Sequence, residues 1–236
     1  MEKKDILQSI KLARENSKER KFAESIDIVI NLKGLNIKKE NEKILAFIPL
    51  PFQRGKRVKV AALVDQALST KAKADCDDYV LLEDFKKQDK KQIRKLAKKT
   101  DYFIAQANIM PKVAQTFGRV LGPRGMMPNP KAGCVVPSTA DLKPLVERLQ
   151  KLVRIETKNE PTIKTSLGSS KLKDDELAEN ALAIYNYVLH HVPQETNNIK
   201  NVLIKTSMGK PVVVGEKVAA KKWHSSHTYP REKRTK

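Results

Sequence analysis

The sequence predicts an α/β protein of two domains, an α+β domain built from both termini with an inserted Rossmann-like three-layer α/β domain. Two patterns carry this expectation. Between residues 58 and 152, short β-branched runs alternate with stretches of helical periodicity, as parallel strands joined by crossover helices do. On either side lie short strands and one strong helix, too few on either flank to close a core alone but sufficient when combined. A chain of 236 residues, 40% hydrophobic and 31% charged, has room for two such units.

The first flank contains "SIDIVINL", in which Ile26, Ile28, Ile30 and Leu32 alternate with Ser25, Asp27, Val29 and Asn31. Strict alternation makes a half-buried strand with its polar face outward, as an antiparallel sheet allows. "KILAFIPL" is a second strand. In the middle, "VKVAALV", "DDYVLLE", "YFIAQA" and "CVVP" read as strands. They are separated by helical stretches from Gln66, in "DKKQIRKLAKK" and in "MPKVAQTFGRVLG", and "DLKPLVERLQKL" closes the series. Ile93, Leu96 and Ala97 share one helical face, as do Val113, Phe117, Val120 and Leu121.

Beyond the middle come the short strands "VRIETK", "PTIKTSL", "NVLIKTS" and "PVVVG". Among them "DDELAENALAIYNYVLHHV" is an amphipathic helix with Leu177, Ala181, Ile184 and Val188 inward and Asp174 or Asp175 at the N-cap. The expected boundaries are 1–57 plus 153–214 for the discontinuous domain, 58–152 for the insert, and 215–236 for a disordered basic tail. Two chain crossings, near "PFQRGKR" and "KLVRI", would form a hinge.

Lys plus Arg number 47 against 27 Asp plus Glu, a net charge of +20. Such an excess points to a polyanionic partner, and nucleic acid is the commonest one. The charge is spread: residues 58–152 carry 18 basic and 10 acidic groups, and the tail 214–236 carries 7 and 2. No apolar run approaches a membrane span, the first residues lack a signal-peptide core, and no membrane partner is expected. Cys76 and Cys134 are far apart without metal-binding spacing, as suits reduced thiols in a cytoplasmic protein.

The stretch "GRVLGPRGMMPNPKAG", residues 118–133, is rich in glycine and proline with cations nearby. It does not read as a phosphate cradle. The glycines follow a helix rather than opening one, no Lys-Ser or Lys-Thr pair closes the loop, and Pro123, Pro128 and Pro130 remove amide donors. A rigid surface loop or a docking surface is the better reading. His224 and His227 lack further zinc ligands, while His190 and His191 suit a helix C-terminus. No nucleophile–base arrangement stands out, so neither enzyme, cofactor nor metal is expected. A nucleotide-dependent enzyme using the central fold is the alternative.

Two flank stretches suit RNA. "ERKFAESID" places Arg20, Lys21 and Phe22 before an outward strand face, and Phe22 either stacks on a base or packs in the core. "KTSMGKP" places Lys205, Thr206 and Ser207 before Met208 and Gly209 at a turn, where hydroxyls and a glycine allow close approach of a sugar–phosphate backbone. With 5% aromatic residues the chain lacks the platforms of a single-strand binder, so recognition of folded RNA shape fits better.

These stretches also carry a resemblance. "LGPRGMMPNPKAG" after an amphipathic helix, "KFAESIDIVINL" near the start and "IKTSMGKPVVV" near the end resemble, in order, three motifs of the universal ribosomal protein L-one family. The resemblance covers about residues 1–214 and is closer to the archaeal form than the bacterial. It implies an inserted two-domain fold and a place on the ribosome, at the mobile stalk of the large subunit. The partners it implies are large-subunit rRNA, tRNA leaving the exit site and the protein's own mRNA, through which members repress translation. It implies that Lys21, Phe22, Glu24 and Ser25 lie on an RNA-contact strand and that Lys164 faces them. Thr206, Ser207, Met208 and Gly209 would form the turn that reads RNA, with Lys210, standing where the family often has proline, adding a phosphate contact. The family's signature loop falls on Gly122, Pro123, Arg124, Gly125, Pro128, Asn129, Pro130 and Lys131, with a structural role or contacts within the stalk.

Overall fold

The computed structural model describes residues 1–18, 20–35, 43–157 and 159–215. The basic tail beyond Gly215, with His224 and His227, lies outside them. Two antiparallel units and one parallel sheet make up the fold. Strands β1 (Ser25–Leu32), β8 (Thr162–Ser169), β9 (Ile199–Thr206) and β10 (Val212–Val213) form an antiparallel sheet in the order β10-β9-β1-β8. A two-stranded sheet pairs β2 (Leu45–Pro49) with β7 (Leu152–Glu156). The alternation in β1 is realised residue for residue: Ile26, Ile28, Ile30 and Leu32 are buried.

Helices α1 (Lys3–Glu15) and α6 (Asp174–His191) share a core with the buried faces of both sheets. Helix α1 has no counterpart in the sequence reading, because its charges obscure a stripe of Ile6, Ser9, Ile10 and Ala13, all buried. Arg14 ties it down: its guanidinium donates to the carbonyls of Ser170 (2.6 Å) and Leu172 (2.9 Å) and pairs with Asp174 (3.0 Å). The cap of α6 differs from expectation. Lys173 occupies the N-cap position, and Asp174, Asp175 and Glu176 fill the first turn, where carboxylates complement the positive end of the helix dipole. Asp174 is already helical because its carboxylate meets Arg14 instead of the helix's own amides.

The central sheet is parallel, in the order β4-β3-β5-β6, from β3 (Val60–Val64), β4 (Asp78–Leu81), β5 (Tyr102–Gln106) and β6 (Val135–Val136). The chain moves from β3 outward to β4, then back across β3 to β5 and on to β6. Right-handed crossovers therefore place α2 (Gln66–Asp75) on one face and α3 (Lys90–Lys99) with α4 (Met110–Leu121) on the other. α5 (Lys143–Lys151) returns on the face of α2. The two apolar layers obey strand parity: Val60, Ala62, Val64 and Ile104 meet Leu68 and Leu149, whereas Ala61, Leu63, Phe103 and Ala105 meet Ile93 and Phe117. Every residue of β3 is buried, as expected of a central parallel strand.

The two units meet at the amino ends of the parallel strands. Gln150, at the end of α5, clasps both chain crossings together: its amide donates to the Val58 carbonyl and accepts from the Val58 N–H, each at 2.8 Å. At the carboxyl ends, where open α/β sheets bind nucleotides, the β3–α2 turn holds no glycine and Gln106 accepts from the Asp65 N–H at 3.2 Å.

Both cysteines are unpaired, and burial pushes each thiol up to about 11. The folded state thus holds its thiol protons more tightly than the unfolded chain. Stability from this source is complete below the unfolded thiol value and is lost as pH rises to about 11. Urea midpoints are expected to fall between about pH 9 and 11, and a Cys76→Ala/Cys134→Ala variant should lose part of that alkaline decline.

Candidate nucleic-acid interface

The sheet face opposite α1 and α6 is polar, and its edge is where the flank motifs converge. Antiparallel register places Asp27 against Lys205 on one side and Ser166 on the other, and Val29 against Leu203 and Lys164. Paired residues project from the same face, so Lys164 and Lys205 stand on the outward side with Ser25, Asp27 and Asn31. Asn31 donates to Asn201 (2.7 Å) and accepts from Thr162 (3.2 Å), giving this face an ordered polar ladder. Lys164 is exposed and reaches Glu160 only at 3.4 Å.

At one end of this face the turn after β9 closes over the start of β1. The Ser207 N–H donates to the Ser25 carbonyl at 2.9 Å, and the two hydroxyl oxygens lie 2.7 Å apart. Ser25 also donates to Asp27 (2.9 Å). Glu24 is 8% exposed, and both carboxylate oxygens are engaged within the protein. One meets Arg20 at 3.0 Å and the other accepts from the Met208 N–H at 3.2 Å. The carboxylate therefore holds the turn, and a direct RNA contact would have to displace one of these partners. Thr206 is likewise 2% exposed, and its Oγ1 lies beneath the turn without a hydrogen-bond partner among the described residues. A side chain on Gly209 would overlap that oxygen.

What remains exposed is specific. Phe22 is 58% and Met208 62% exposed, large apolar side chains on the two segments joined by the serine pair. The choice left open for Phe22 is thus decided: it is outside the core, with the Arg20 guanidinium 6.0 Å from its ring centroid. Lys21 and Lys210 are exposed on the same two segments. One difference from the expected placement is local. β1 begins at Ser25, so Lys21, Phe22 and Glu24 precede the strand, although the Glu24 carbonyl still accepts from the Ser170 N–H at 2.8 Å in register with it. Beside the serines runs a cleft of about 490 Å³. It is lined by Ser25, Ser166 and Ser169 and by Arg54, Lys56 and Arg57 of the connecting segment, a cationic rim that motif reading missed because those residues lie in a linker.

The signature loop lies apart from the turn and is not a free surface loop. Gly122 ends α4, Pro123 and Arg124 follow, and Gly125 turns with φ +65°. Its carbonyl accepts from Arg154 of β7, which also pairs with Glu156. A Cβ at Gly125 would overlap that guanidinium. Asn129 stiffens the rest, its side chain accepting from the Lys131 N–H (2.9 Å) and its carbonyl from Ala132 and Cys134. Pro128 precedes this turn, and Pro130 begins a short 3-10 turn that Gly133 ends at φ +76°. The loop therefore fastens the inserted domain to the terminal one. Arg124 lines a cleft with Lys164, and Lys131 lines another with Leu45 and His191.

Fold and edge together define a discontinuous two-domain α/β protein whose exposed side chains suit a polar, anionic partner. The chain belongs to the ribosomal protein L1p/L10e family, which it matches over residues 13–210. It is similar to the large ribosomal subunit protein uL1 of Thermococcus kodakarensis, 38% identical over 215 residues that cover 90% of this chain and 98% of the relative. The protein of the same name from Methanothermococcus thermolithotrophicus is 38% identical over 216 residues, covering 91% and 99%. That from Methanocaldococcus jannaschii is 35% identical over 224 residues, covering 94% and 100%. The chain is thus of the archaeal-like form.

Proposed function

We propose that this protein is a constituent of the large ribosomal subunit that binds large-subunit rRNA at the mobile stalk. In this reading the turn at 206–210 and the segment at 21–25 carry the RNA contact. The supporting observation is the pair of exposed apolar side chains, Phe22 and Met208, fixed on either side of a hydrogen-bonded serine pair and beside exposed lysines. Apolar contacts of this kind stack on bases or sugars, the hydroxyls reach 2′-OH groups, and the lysines meet phosphates. Glu24, Thr206 and Gly209 act by shaping the turn. Residues 1–57 with 153–214 form the RNA-binding domain, 58–152 the insert, and the tail 215–236 a basic arm.

The same reading extends to the release of deacylated tRNA, for which a domain joined by two clasped chain crossings is a suitable moving part. It extends also to the protein's own mRNA, since a site that reads backbone shape accepts any RNA presenting that shape. The nucleotide-enzyme alternative gains no support from the β3–α2 turn, which lacks the glycines a phosphate would need.

The test is a titration of the stalk segment of large-subunit rRNA against an unrelated hairpin of equal length. A preference that survives at physiological salt is expected. Phe22→Ala, Ser207→Ala and Met208→Ala should each weaken specific binding by roughly 1–2 kcal/mol with the fold intact. Equal binding of both RNAs, or unchanged affinity in all three folded variants, would overturn the assignment.

A further inference from the structure

Within the inserted domain the excess positive charge is concentrated on one helix. Of the 18 basic groups in residues 58–152, six lie in α3, "KKQIRKLAKK", which holds no acidic residue. Removing those six leaves 12 basic against 10 acidic groups, so α3 accounts for three quarters of the excess of the inserted domain.

Helical geometry sorts the six into an array. Lys90, Arg94 and Lys98 form one row and Lys91, Lys95 and Lys99 a second, about 100° around the axis, with successive cations about 6 Å apart along it. All six are exposed, while Ile93 and Ala97 on the opposite side are buried with the core residues of α4 and the sheet. None of the six takes part in an ion pair among the described residues. The nearby carboxylates are otherwise engaged. Asp89 caps α3 itself, Asp84 pairs with Lys87 at 3.1 Å, and Asp101 accepts from the Lys59 N–H at 3.1 Å. Each row therefore stacks like charges at i, i+4, and Lys90 and Lys91 sit at the positive end of the helix dipole, both of which weaken the helix.

An uncompensated cation array of this regularity matches a partner with regularly spaced negative charge. The exposed positions of α3 are Lys90, Lys91, Gln92, Arg94, Lys95, Lys98 and Lys99. They include no aromatic or aliphatic side chain to enter a lipid interface, to anchor a peptide or to stack on a base. We propose that the outward face of α3 is a second RNA surface, holding the phosphate backbone of a duplex segment without regard to sequence and independently of the turn at 206–210.

The test uses the full chain and a short RNA duplex of arbitrary sequence, titrated over a range of KCl concentrations. Lys91→Gln/Lys95→Gln/Lys98→Gln keeps good helix formers on exposed positions. It is expected to lower the slope of log affinity against log salt by roughly 2–3 units, near one for each phosphate that is no longer neutralised. In the unaltered protein the duplex should protect the α3 lysines from acylation, a measurement that needs no variant. The triple variant should keep its preference for the stalk rRNA segment over an unrelated hairpin, which separates this surface from the reading of the turn. An unchanged slope together with unprotected α3 lysines would overturn the proposal. So would equal protection by polyglutamate or by phosphatidylserine vesicles at the same ionic strength, since the partner would then be an acidic protein or a membrane.

Discussion

Asn180→Leu is expected to lower the unfolding free energy by about 2–4 kcal/mol, although it replaces a polar side chain in a core by an apolar one with the same branching. Asn180 lies on the buried stripe of α6 with no solvent exposure. Its carboxamide donates to the carbonyls of Leu167 (3.0 Å) and Phe52 (3.2 Å) and accepts from the Phe52 N–H (3.1 Å). It thus satisfies three backbone groups, one in β8 and two in the segment connecting the domains. Leucine would strand all three, and the penalty for unmet backbone groups exceeds the gain from one more apolar side chain. Urea unfolding decides the sign: an unchanged or raised midpoint would show that the network contributes nothing. Faster amide exchange in the connecting segment should accompany the loss, because Phe52 would be released.

The second large effect concerns binding. Gly209→Ala is expected to weaken binding to the stalk rRNA segment about 30-fold, near 2 kcal/mol, with little change in melting temperature. The new Cβ would overlap Thr206 Oγ1, which is buried beneath the turn, while Gly209 N–H donates to the Thr206 carbonyl at 3.1 Å. The turn must open to make room, shifting Ser207 from Ser25 and Met208 from the Glu24 carboxylate. Stability changes little because the turn lies at the end of β9, outside the apolar core, with Met208 and Lys210 in solvent. A second substitution identifies the cause. If the overlap is responsible, Thr206→Ala in the Gly209→Ala background should recover much of the affinity, a coupling that independent sites would not show. Filter binding of the three variants and the unaltered protein completes the cycle.

The two predictions concern different parts of the design. Asn180 and Gln150 hold the connecting segments to the terminal and inserted domains respectively, and Arg154 fastens the signature loop across the junction. The turn proposed to meet RNA depends instead on contacts among Glu24, Ser25 and residues 206–209. Domain disposition and the proposed RNA contact can therefore be perturbed separately.

By itself the sequence determined what depends on local periodicity. The alternation of Ile26 to Leu32, the repeats in α3 and α4 and the order of strands and helices are set by which side chains recur every two or 3.6 residues, and the structure follows them. α1 escaped although its stripe of Ile6, Ile10 and Ala13 is present, because scattered charges masked a narrow apolar face. Asn180 also stood in plain view on a buried stripe, yet its partner Phe52 is 128 residues away, and no local pattern marks that pairing. The tertiary structure decided the rest. Phe22 is exposed while Glu24, two residues on, is buried, held by Arg20 and by the Met208 amide from the far end of the chain. The glycine–proline loop is a fastening between domains because Arg154, on the strand that pairs with β2, lies beside Gly125, 29 residues away in the chain. Period is a property of neighbours in the chain, whereas exposure and partnership belong to neighbours in space.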